Sequence, residues 1–367
     1  MSAATGAAGT PAAGRAGEPG RTMLLVAHTG RPAARRIARV VIERLTAAGV
    51  AVRVLETEAA ELNCPPAAAV PVSAAAAAGA EMVWVIGGDG TLLRAAELAR
   101  GAGVPLVGVN LGHVGFLAEA EPEDLSDAVD QVLAGKYSVE QRMTVDVSVR
   151  TNGAVLASTW ALNEATVEKA ARERMLELVI EVDGRPLSRY GCDGVVFATP
   201  TGSTAYAFSA GGPVVWPEVE ALLMVPICAH ALFAGPMVVS PRSVVAAELL
   251  GHGSAGVADA QPGAGPARPA GGQSVTSGAV LWCDGRRKVD LPPGARVEVR
   301  RGTRPVLLAR LDAAAGAGGA ETGAPFTDRL VQKFGLPVTG WRGRGAAGRH
   351  EAESTGRQED EEPGGDA

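Results

Sequence analysis

Aromatic residues are scarce in this chain of 367 residues, at 4%, and cysteine and histidine occur only four and five times. The four cysteines (Cys64, Cys192, Cys228 and Cys283) stand far apart without a Cys-x-x-Cys pair. This spacing fits neither a disulfide framework nor a zinc site. We therefore expect free thiols in a reducing cytosol, a cytoplasmic location and no metal held by protein ligands.

An excess of basic residues is also missing. The net charge is −6, and residues 350–367, with seven acids and one arginine, account for all of it. A nucleic-acid partner would require clustered lysine and arginine, so we expect none. Apolar runs of membrane length are missing too, because Pro226, His230 and Pro236 interrupt the longest one, residues 221–239. We therefore expect no membrane partner.

The first half of the chain alternates strand-like and helix-like segments. It follows a Gly/Ala/Pro-rich stretch, residues 1–22, that we expect to be disordered. Helical spacing in residues 32–49 places Ile37, Val40, Val41 and Leu45 on one face. Strands that alternate with helices predict a parallel sheet with helices on both faces. We therefore assign residues 23–140 to an α/β domain with a Rossmann-like parallel sheet.

The second half has a different pattern, in which β-type segments flank short polar dipeptides. Asn152-Gly153, Asp183-Gly184 and Asp284-Gly285 suit the positive φ angles of tight hairpin turns. Residues 141–312, including the strand-like run PVLLARLD, are therefore predicted to form a β-rich domain, an antiparallel sandwich or layered structure.

Three further segments complete the predicted organisation. Residues 251–278 are rich in Gly, Ala and Pro, which predicts a flexible insert within the β-rich domain. We expect residues 313–343 to form a C-terminal segment that returns to the N-terminal domain. Residues 344–367 are expected to be a disordered acidic tail.

A glycine-rich turn follows the third apolar strand, in the sequence VIGGDGTLLRAA. Gly87, Gly88 and Gly90 surround Asp89, and a helix-like segment follows. Backbone N–H groups at such a strand-to-helix turn form a natural phosphate site, although the Gly-Lys-Ser/Thr of a Walker A loop is missing. An acid there would repel phosphate unless it touched a neighbouring hydroxyl. We therefore predict that Asp89 orients an attacking hydroxyl and accepts its proton; the alternative is a tight turn without a ligand.

Two other segments carry polar groups that could bind a ligand. Residues 192–215 place six hydroxyl side chains beside flexible glycines, which suits recognition of sugars and phosphates; the alternative is a polar loop between strands. These hydroxyls belong to Thr199, Thr201, Ser203, Thr204, Tyr206 and Ser209. Asn163-Glu164, at the end of a strand, would by itself be typical of a solvated turn.

The three segments together, in this order, resemble the NAD kinase family. The matching residues are GGDGT at 87–91, Asn-Glu at 163–164 and DGVVFATPTGSTAY from Asp193 to Tyr206. NLGHVGFLAE at 110–119 is similar to another stretch of the family, and residues 328–343 look like its actinobacterial branch. GGDGT alone is shared with lipid kinases and relatives of phosphofructokinase, whereas TPTGSTAY is highly specific.

The resemblance implies transfer of the γ-phosphate of ATP, as its Mg²⁺ complex, or of polyphosphate to the 2′-hydroxyl of the adenosine ribose of NAD⁺. It implies that Asp89 is the proton acceptor and that the protein is a homodimer or homotetramer. Arg174 matches a basic position of the family, with Lys169 and Arg172 as rivals. The full set of binding residues that we predict is Gly87, Gly88, Asp89, Gly90, Thr91, Arg94, Asn163, Glu164, Arg174, Asp193, Thr204, Ala205, Tyr206, Ala207, Phe208 and Ser209.

Two other functions share some of these features. A lipid kinase of the diacylglycerol or sphingosine type has the GGDGT turn, but the sequence lacks a basic amphipathic helix for a membrane surface. A dinucleotide sensor without catalysis would keep the cleft, but the presence of Asp89 argues against it.

Overall fold

The computed structural model describes residues 20–111, 115–117, 120, 124–170, 175–250, 278–311 and 326–337. The chain divides into two units, Met1–Gly323 and Ala324–Ala367. The predicted insert at 251–278, except Gly278, and the acidic tail at 344–367 lie outside the described residues.

The strands, in chain order, are β1 Thr22–Ala27, β2 Ala51–Leu55, β3 Ala68–Val70, β4 Met82–Ile86, β5 Leu106–Val109, β6 Tyr137–Arg142, β7 Val145–Thr151, β8 Ala154–Ala161, β9 Glu164–Lys169, β10 Leu176–Val182, β11 Arg185–Cys192, β12 Gly194–Ala198, β13 Leu222–Ile227, β14 Met237–Val239, β15 Val245–Leu249, β16 Ala279–Cys283, β17 Arg287–Leu291, β18 Arg296–Arg301 and β19 Val306–Leu311. The α-helices are α1 Pro32–Ala47, α2 Glu56–Leu62, α3 Asp89–Ala99, α4 Leu125–Leu133, α5 Tyr206–Ser209 and α6 Phe326–Phe334, and short 3-10 helices occur at Arg100–Ala102 and Thr201–Thr204.

The first sheet has the order β3-β2-β1-β4-β5-β19-β6, in which β1 to β5 run parallel. Its central strand β4 is buried along its whole length, as expected for a parallel strand that is covered on both faces. Helices α1 and α4 contribute to the apolar core on one face, and α3 to the core on the other. The predicted α/β fold is therefore confirmed. On α1, however, Val40 is 44% exposed and Ile42 is buried, so the predicted apolar face was wrong at Val40.

The last strand of the first sheet differs from the expectation. The segment 306–311 was assigned to the β-rich domain, but β19 lies between β5 and β6, parallel to β5 and antiparallel to β6. Val306 and Leu308 belong to the core on one face of this sheet, and Ala309 and Leu311 to the core on the other. An apolar run buried on both faces is better satisfied inside this doubly covered sheet than in a sandwich with one solvated face.

The start of the fold also differs from the expected tail at residues 1–22. Residues 1–19 lie outside the described part, but β1 already begins at Thr22. The side chain of Arg21, 5% exposed, forms an ion pair with Glu81 at 2.7 Å. It also donates a hydrogen bond to the backbone oxygen of Leu133 at 3.0 Å. Residues 21 and 22 are therefore part of the folded domain.

The β-rich part consists of two six-stranded antiparallel sheets, β11-β10-β15-β18-β7-β8 and β14-β13-β12-β9-β16-β17. Val147 from one sheet shares a single apolar core with Val167 and Phe197 from the other, so the two sheets form a sandwich. All three predicted hairpins are confirmed, because their turn dipeptides have positive φ at both residues and join β7 to β8, β10 to β11 and β16 to β17.

Helix α6 belongs to the second unit and lies within the predicted C-terminal segment 313–343, of which residues 326–337 are described. Its return to the N-terminal domain stays a prediction. In the part of the chain that the structure describes, no helix combines the length and apolar character needed to cross a membrane.

Candidate active site

The glycine turn, residues 87–91, connects β4 to α3. Gly88 is the N-cap residue with extended backbone, and α3 begins at Asp89, so the first N–H groups of the helix face the turn. A Cβ at Gly87 would collide with the hydroxyl of Thr91, which is itself buried. The sequence therefore requires glycine here to keep the strand and helix close.

The carboxylate of Asp89 faces the segment 115–117. It accepts hydrogen bonds from the backbone N–H groups of Phe116 and Leu117, each at 3.2 Å. A Cβ at Gly115 would lie 2.7 Å from Asp89 Oδ1. A negative charge in the first turn of a helix also interacts favourably with the helix dipole. Asp89 is thus held in place by two amides, half-buried, at the N-terminus of α3.

A cleft of about 590 Å³ opens beside this helix terminus. Its wall combines the end of β1 and the loop that follows it, the glycine turn, and one residue of the β-rich part. Lining residues are Ala27, His28, Thr29, Gly30, Arg31, Gly88, Gly90, Thr91, Arg94 and Arg286. Three arginines and a helix N-terminus make this a cationic cleft, which is suited to an anionic ligand.

The guanidinium of Arg94 is fixed at the wall of the cleft by a buried acid. Its Nη2 donates to Glu58 Oε1 at 2.5 Å and to the backbone oxygen of Ala27 at 2.9 Å. Glu58 is only 2% exposed, and burial raises its pKa despite the hydrogen bond from the Ala27 N–H and the charge of Arg94. The pair therefore sets the position of Arg94, and its contact with a phosphate stays a prediction.

The Asn-Glu turn, residues 162–164, connects β8 to β9. Asn163 and Glu164 are both 8% exposed, and among the described residues Asn163 Oδ1 and Glu164 Oε2 have no hydrogen-bond partner. Burial, and secondly the neighbouring Asp284, raise the pKa of Glu164 to about 8, even though the backbone N–H of Tyr206 donates to it. Buried polar atoms without partners are costly, and a polar ligand at this pair would satisfy them.

Asp284, in the turn of the β16–β17 hairpin, holds the Asn-Glu turn from behind. Its carboxylate accepts hydrogen bonds from the backbone N–H groups of Leu162 at 3.0 Å and Asn163 at 2.7 Å. Its own N–H donates to the backbone oxygen of Glu164 at 2.9 Å. The side chain of Asp284 is 1% exposed and pairs with Arg287 at 2.8 Å.

The hydroxyl loop, residues 199–209, packs against the other side of the Asn-Glu turn. Thr199 Oγ1 donates to the backbone oxygen of Leu162 at 2.6 Å and accepts from the N–H of Gly202 at 3.1 Å. The N–H of Thr199 donates to the backbone oxygen of Asn163 at 2.9 Å. A Cβ at Gly202 would collide with that same oxygen, so only glycine allows the loop to approach so closely.

Several hydroxyls of this loop stabilise the loop itself. Ser203 Oγ bonds both the backbone oxygen and the N–H of Val215, at 3.1 and 2.9 Å. Thr204 Oγ1 donates to the backbone oxygen of Thr201 at 3.4 Å. These hydroxyls therefore have a structural role, because threonine and serine also satisfy the backbone of tight turns. Recognition of a ligand by the set stays a prediction.

The rest of the loop alternates between core and surface. Ala207 is fully buried with Val196 and Leu223, which anchors the short helix α5 on the outer face of the sheet. The predicted binding residues around it present more surface: Ala205 is half-buried, and Tyr206, Phe208 and Ser209 are exposed.

Asp193, at the junction of β11 and β12, forms an ion pair with Lys169 at 2.5 Å, with both side chains partly exposed. Lys169 is one of the rivals that the sequence offered for a basic binding residue. The other two, Arg172 and Arg174, lie outside the described residues.

The hairpin β16–β17 connects the glycine turn to the Asn-Glu turn. Arg286 and Arg287 both bind Glu97 on α3, the helix that begins at Asp89. Leu162 also belongs to the apolar core beneath α3. Glu58, Glu97, Asp284 and Arg287 were missed as site residues; for Asp284 the only sequence signal was its hairpin turn. Among the described residues, no group of three or more His, Cys, Asp or Glu side chains could hold a metal ion.

An α/β domain with an acid at a glycine turn, joined to a β sandwich with buried polar atoms that lack partners, is the arrangement expected of a two-domain phosphotransferase. Family profiles match both parts, "ATP-NAD kinase N-terminal domain" over residues 23–137 and "ATP-NAD kinase C-terminal domain" over residues 162–263. The chain is 58% identical over 343 residues to an NAD kinase of Thermobifida fusca, covering 91% of this chain and 95% of that protein.

A second curated relative, NAD kinase 2 of Streptomyces coelicolor, is 58% identical over 325 residues, covering 88% of this chain and 97% of that protein. The chain belongs to the NAD kinase family. Among solved structures, yeast NADH kinase complexed with NADH has the same fold, with a TM-score of 0.72 at 21% identity, over 89% of this chain and 91% of that one. An Archaeoglobus fulgidus NAD kinase in complex with ATP gives a TM-score of 0.55 at 24% identity, over 78% and 92%.

Proposed function

We propose that this enzyme transfers the γ-phosphate of ATP to the 2′-hydroxyl of the adenosine ribose of NAD⁺, with Asp89 as the proton acceptor. NAD kinase activity follows from membership of the family and from the close actinobacterial relatives. The single observation that carries the assignment of roles is the position of Asp89, at the N-terminus of α3 and beside the cationic cleft.

The cationic cleft is the proposed donor site. The amides of the glycine turn and the guanidinium groups of Arg31, Arg94 and Arg286 would bind the phosphates of ATP. Mg²⁺ would enter with ATP, because this ion keeps several waters and is commonly held by substrate phosphates. Inorganic polyphosphate offers the same repeated anionic oxygens, and we propose it as an alternative donor.

The Asn-Glu turn and the exposed part of the hydroxyl loop form the proposed acceptor site. Asn163 Oδ1 can accept a hydrogen bond from a ribose hydroxyl or an adenine amino group. With its raised pKa, Glu164 is mostly protonated near pH 7 and can donate a hydrogen bond as well as accept one. Asp193, Tyr206 and the backbone around Ala205 would line the rest of the dinucleotide site.

In the proposed reaction, the 2′-hydroxyl oxygen attacks the γ-phosphorus. A new O–P bond forms, the bond from that phosphorus to the β–γ bridging oxygen breaks, and ADP leaves. Asp89 takes the hydroxyl proton as the bond forms, while the amides of the glycine turn stabilise charge on the transferring group. Catalysis therefore depends mainly on positioning and electrostatics, as is usual for phosphoryl transfer.

The test is the Asp89→Asn variant, which keeps an oxygen acceptor for one of the two N–H groups of Phe116 and Leu117 but is a very poor base. We expect kcat to fall by about 10²- to 10⁴-fold, the usual contribution of a general base. The affinity for NAD⁺, measured by calorimetry, should stay within about two-fold of the parent value. Near-native formation of NADP⁺ by this variant would exclude Asp89 as the base.

Substrate range is tested in one coupled assay that combines ATP or polyphosphate with NAD⁺, NADH or diacylglycerol. Phosphorylation of diacylglycerol without NADP⁺ formation would replace the proposal with a lipid kinase. NAD⁺ binding without ATP consumption would favour a sensor.

Two properties of the protein are proposed on the basis of its family alone. We expect it to work in the cytoplasm, as a homodimer or homotetramer, and light scattering of the purified protein tests the number of subunits.

A further inference from the structure

We infer that Arg287 is a positioning residue, which holds the Asn-Glu turn in register with the helix that carries Asp89. This inference rests on the proposed function, because it assigns the Asn-Glu turn to NAD⁺. It concerns a residue that need not touch either substrate and that acts through Asp284.

Arg287 connects three parts of the structure at once. Its Nη1 bonds Glu97 on α3, and its Nη2 donates to Asp284 Oδ2 at 2.8 Å and to the backbone oxygen of Trp160 at 2.7 Å. Its guanidinium carbon also lies 4.6 Å from the centre of the Trp160 ring. The planar guanidinium suits this arrangement, because its five N–H groups point in fixed directions and its face stacks on an aromatic ring.

The contact with Asp284 matters because that carboxylate is buried beside a second acid. Asp284 accepts the N–H groups of Leu162 and Asn163, its side chain is only 1% exposed, and Glu164 lies close by. Arg287 is the cation that pairs with it. Without that charge, the carboxylate would be buried and unpaired, which is strongly unfavourable, and the turn would lose its anchor.

The contact with Glu97 connects Arg287 to the helix that carries the proposed base, Asp89. Glu97 follows Asp89 by eight residues on the same helix, a separation of about 12 Å along a rigid element. The glycine turn and the Asn-Glu turn are therefore joined through one helix and directional hydrogen bonds. The route runs from Asp89 along α3 to Glu97 and then through Arg287 and Asp284 to Asn163. A shift of either end would alter the alignment of hydroxyl and phosphorus on which the transfer depends.

The neighbouring Arg286 provides a matched control within the same hairpin. It also binds Glu97, at 2.8 Å, but it lines the cationic cleft, and among the described residues its side chain forms no hydrogen bond or ion pair with Asp284 or Trp160. If Arg287 positions the acceptor, replacement of each arginine by methionine should affect the KM of a different substrate. Arg286→Met should raise the KM for ATP, and Arg287→Met the KM for NAD⁺.

The experiment compares the full-length parent enzyme with Arg287→Met, Arg287→Lys, Arg286→Met and Arg189→Met. Arg189 forms an exposed ion pair with Glu177, so its variant controls for loss of a surface charge. For Arg287→Met we expect the KM for NAD⁺ to rise about 10- to 100-fold, the effect of losing a hydrogen bond to a charged group. The KM for ATP should stay within about two-fold.

Arg287→Lys covers the case in which the methionine variant does not fold. The lysine keeps a positive charge near Asp284, but one ammonium cannot reach Glu97, Asp284 and the Trp160 oxygen together. It should therefore fold and show an intermediate rise in the KM for NAD⁺. If both KM values of this variant match the parent, or rise equally, the inference is overturned, even if kcat falls.

Calorimetry with NAD⁺ alone separates this inference from the proposed function. Weaker NAD⁺ binding by the Arg287 variants supports the positioning role whether or not turnover depends on Asp89. Unchanged NAD⁺ affinity, in an enzyme whose turnover does require Asp89, refutes the role of Arg287 and leaves the proposed function intact.

Discussion

The buried carboxyl of Glu164 makes the stability of the protein depend on pH in a definite direction. Burial, then the neighbouring Asp284, raise its pKa from 4.5 to about 8 in the folded state. In the unfolded chain the group titrates near its ordinary value. Folding therefore binds a proton between these two values, so the contribution of Glu164 to stability is most favourable below pH 4.5, falls as pH rises to about 8 and then levels off.

The size of the effect follows from the width of the window. Between pH 6 and pH 9, about two pH units lie below the folded-state pKa of Glu164. Over each of these units the free energy of unfolding falls by 1.36 kcal/mol, which gives a loss of about 3 kcal/mol. The Glu164→Gln variant has the same shape but does not titrate, so its stability should lack this loss. Its melting temperature relative to the parent should rise by about 4 °C between pH 6 and pH 9.

The assay is thermal unfolding of both proteins at pH 6, 7, 8 and 9 at constant ionic strength. Glu181→Gln is the control, because the hydrogen bond from Arg296 lowers the pKa of Glu181 and keeps it ionised throughout this range. The difference in melting temperature between Glu181→Gln and the parent should therefore be independent of pH. If the melting curves of Glu164→Gln and the parent stay parallel from pH 6 to pH 9, the buried carboxyl does not have the raised pKa, and the reasoning fails.

Two further predictions concern the packing and charge of the site. Gly202→Ala should displace the Asn-Glu turn, since its Cβ would meet the backbone oxygen of Asn163. We expect the melting temperature to fall by several degrees and the KM for NAD⁺ to rise. Gly101→Ala, where the Cβ meets nothing within 4 Å, should change neither quantity. Arg31→Met should raise the KM for ATP about three- to ten-fold with little change in the KM for NAD⁺. Among the described residues, the guanidinium of Arg31 has no carboxylate partner, and it lines the cationic cleft. Equal KM values for ATP in variant and parent would exclude Arg31 from the donor site.

Local chemistry accounts for what the sequence predicted well. Dipeptides such as Asp284-Gly285 specify their own turn, since few other residues accept two successive positive φ angles. The alternation of strands and helices in residues 23–109 likewise needs no distant contact to be recognised. The glycine turn and the Asn-Glu pair are recognisable as sequence motifs. Their proposed roles in binding and catalysis come from the resemblance to a family and not from the residues alone.

Long-range pairing accounts for what the sequence did not predict. The hydrogen bonds from Leu162 and Asn163 to Asp284 join residues more than 120 positions apart, and no local pattern marks an aspartate in a hairpin turn as the anchor of another segment. For β19, an apolar run fits a sandwich or a parallel sheet equally well. On α1, Val40 and Ile42 are both apolar, and only the angle of the helix on the sheet decides which one is buried.

The position of β19 has a consequence for synthesis on the ribosome. Strand β6 pairs only with β19 among the described strands, and the β5 edge beside it also waits for β19. Both sites are translated before residue 142, whereas their partner ends at residue 311. The nascent α/β domain must therefore carry an open edge while about 165 further residues are added, a delay of roughly 8 to 33 s at elongation rates of about 5 to 20 residues per second. Completion of this sheet is a late event, and chaperones that bind exposed strands would act in that interval.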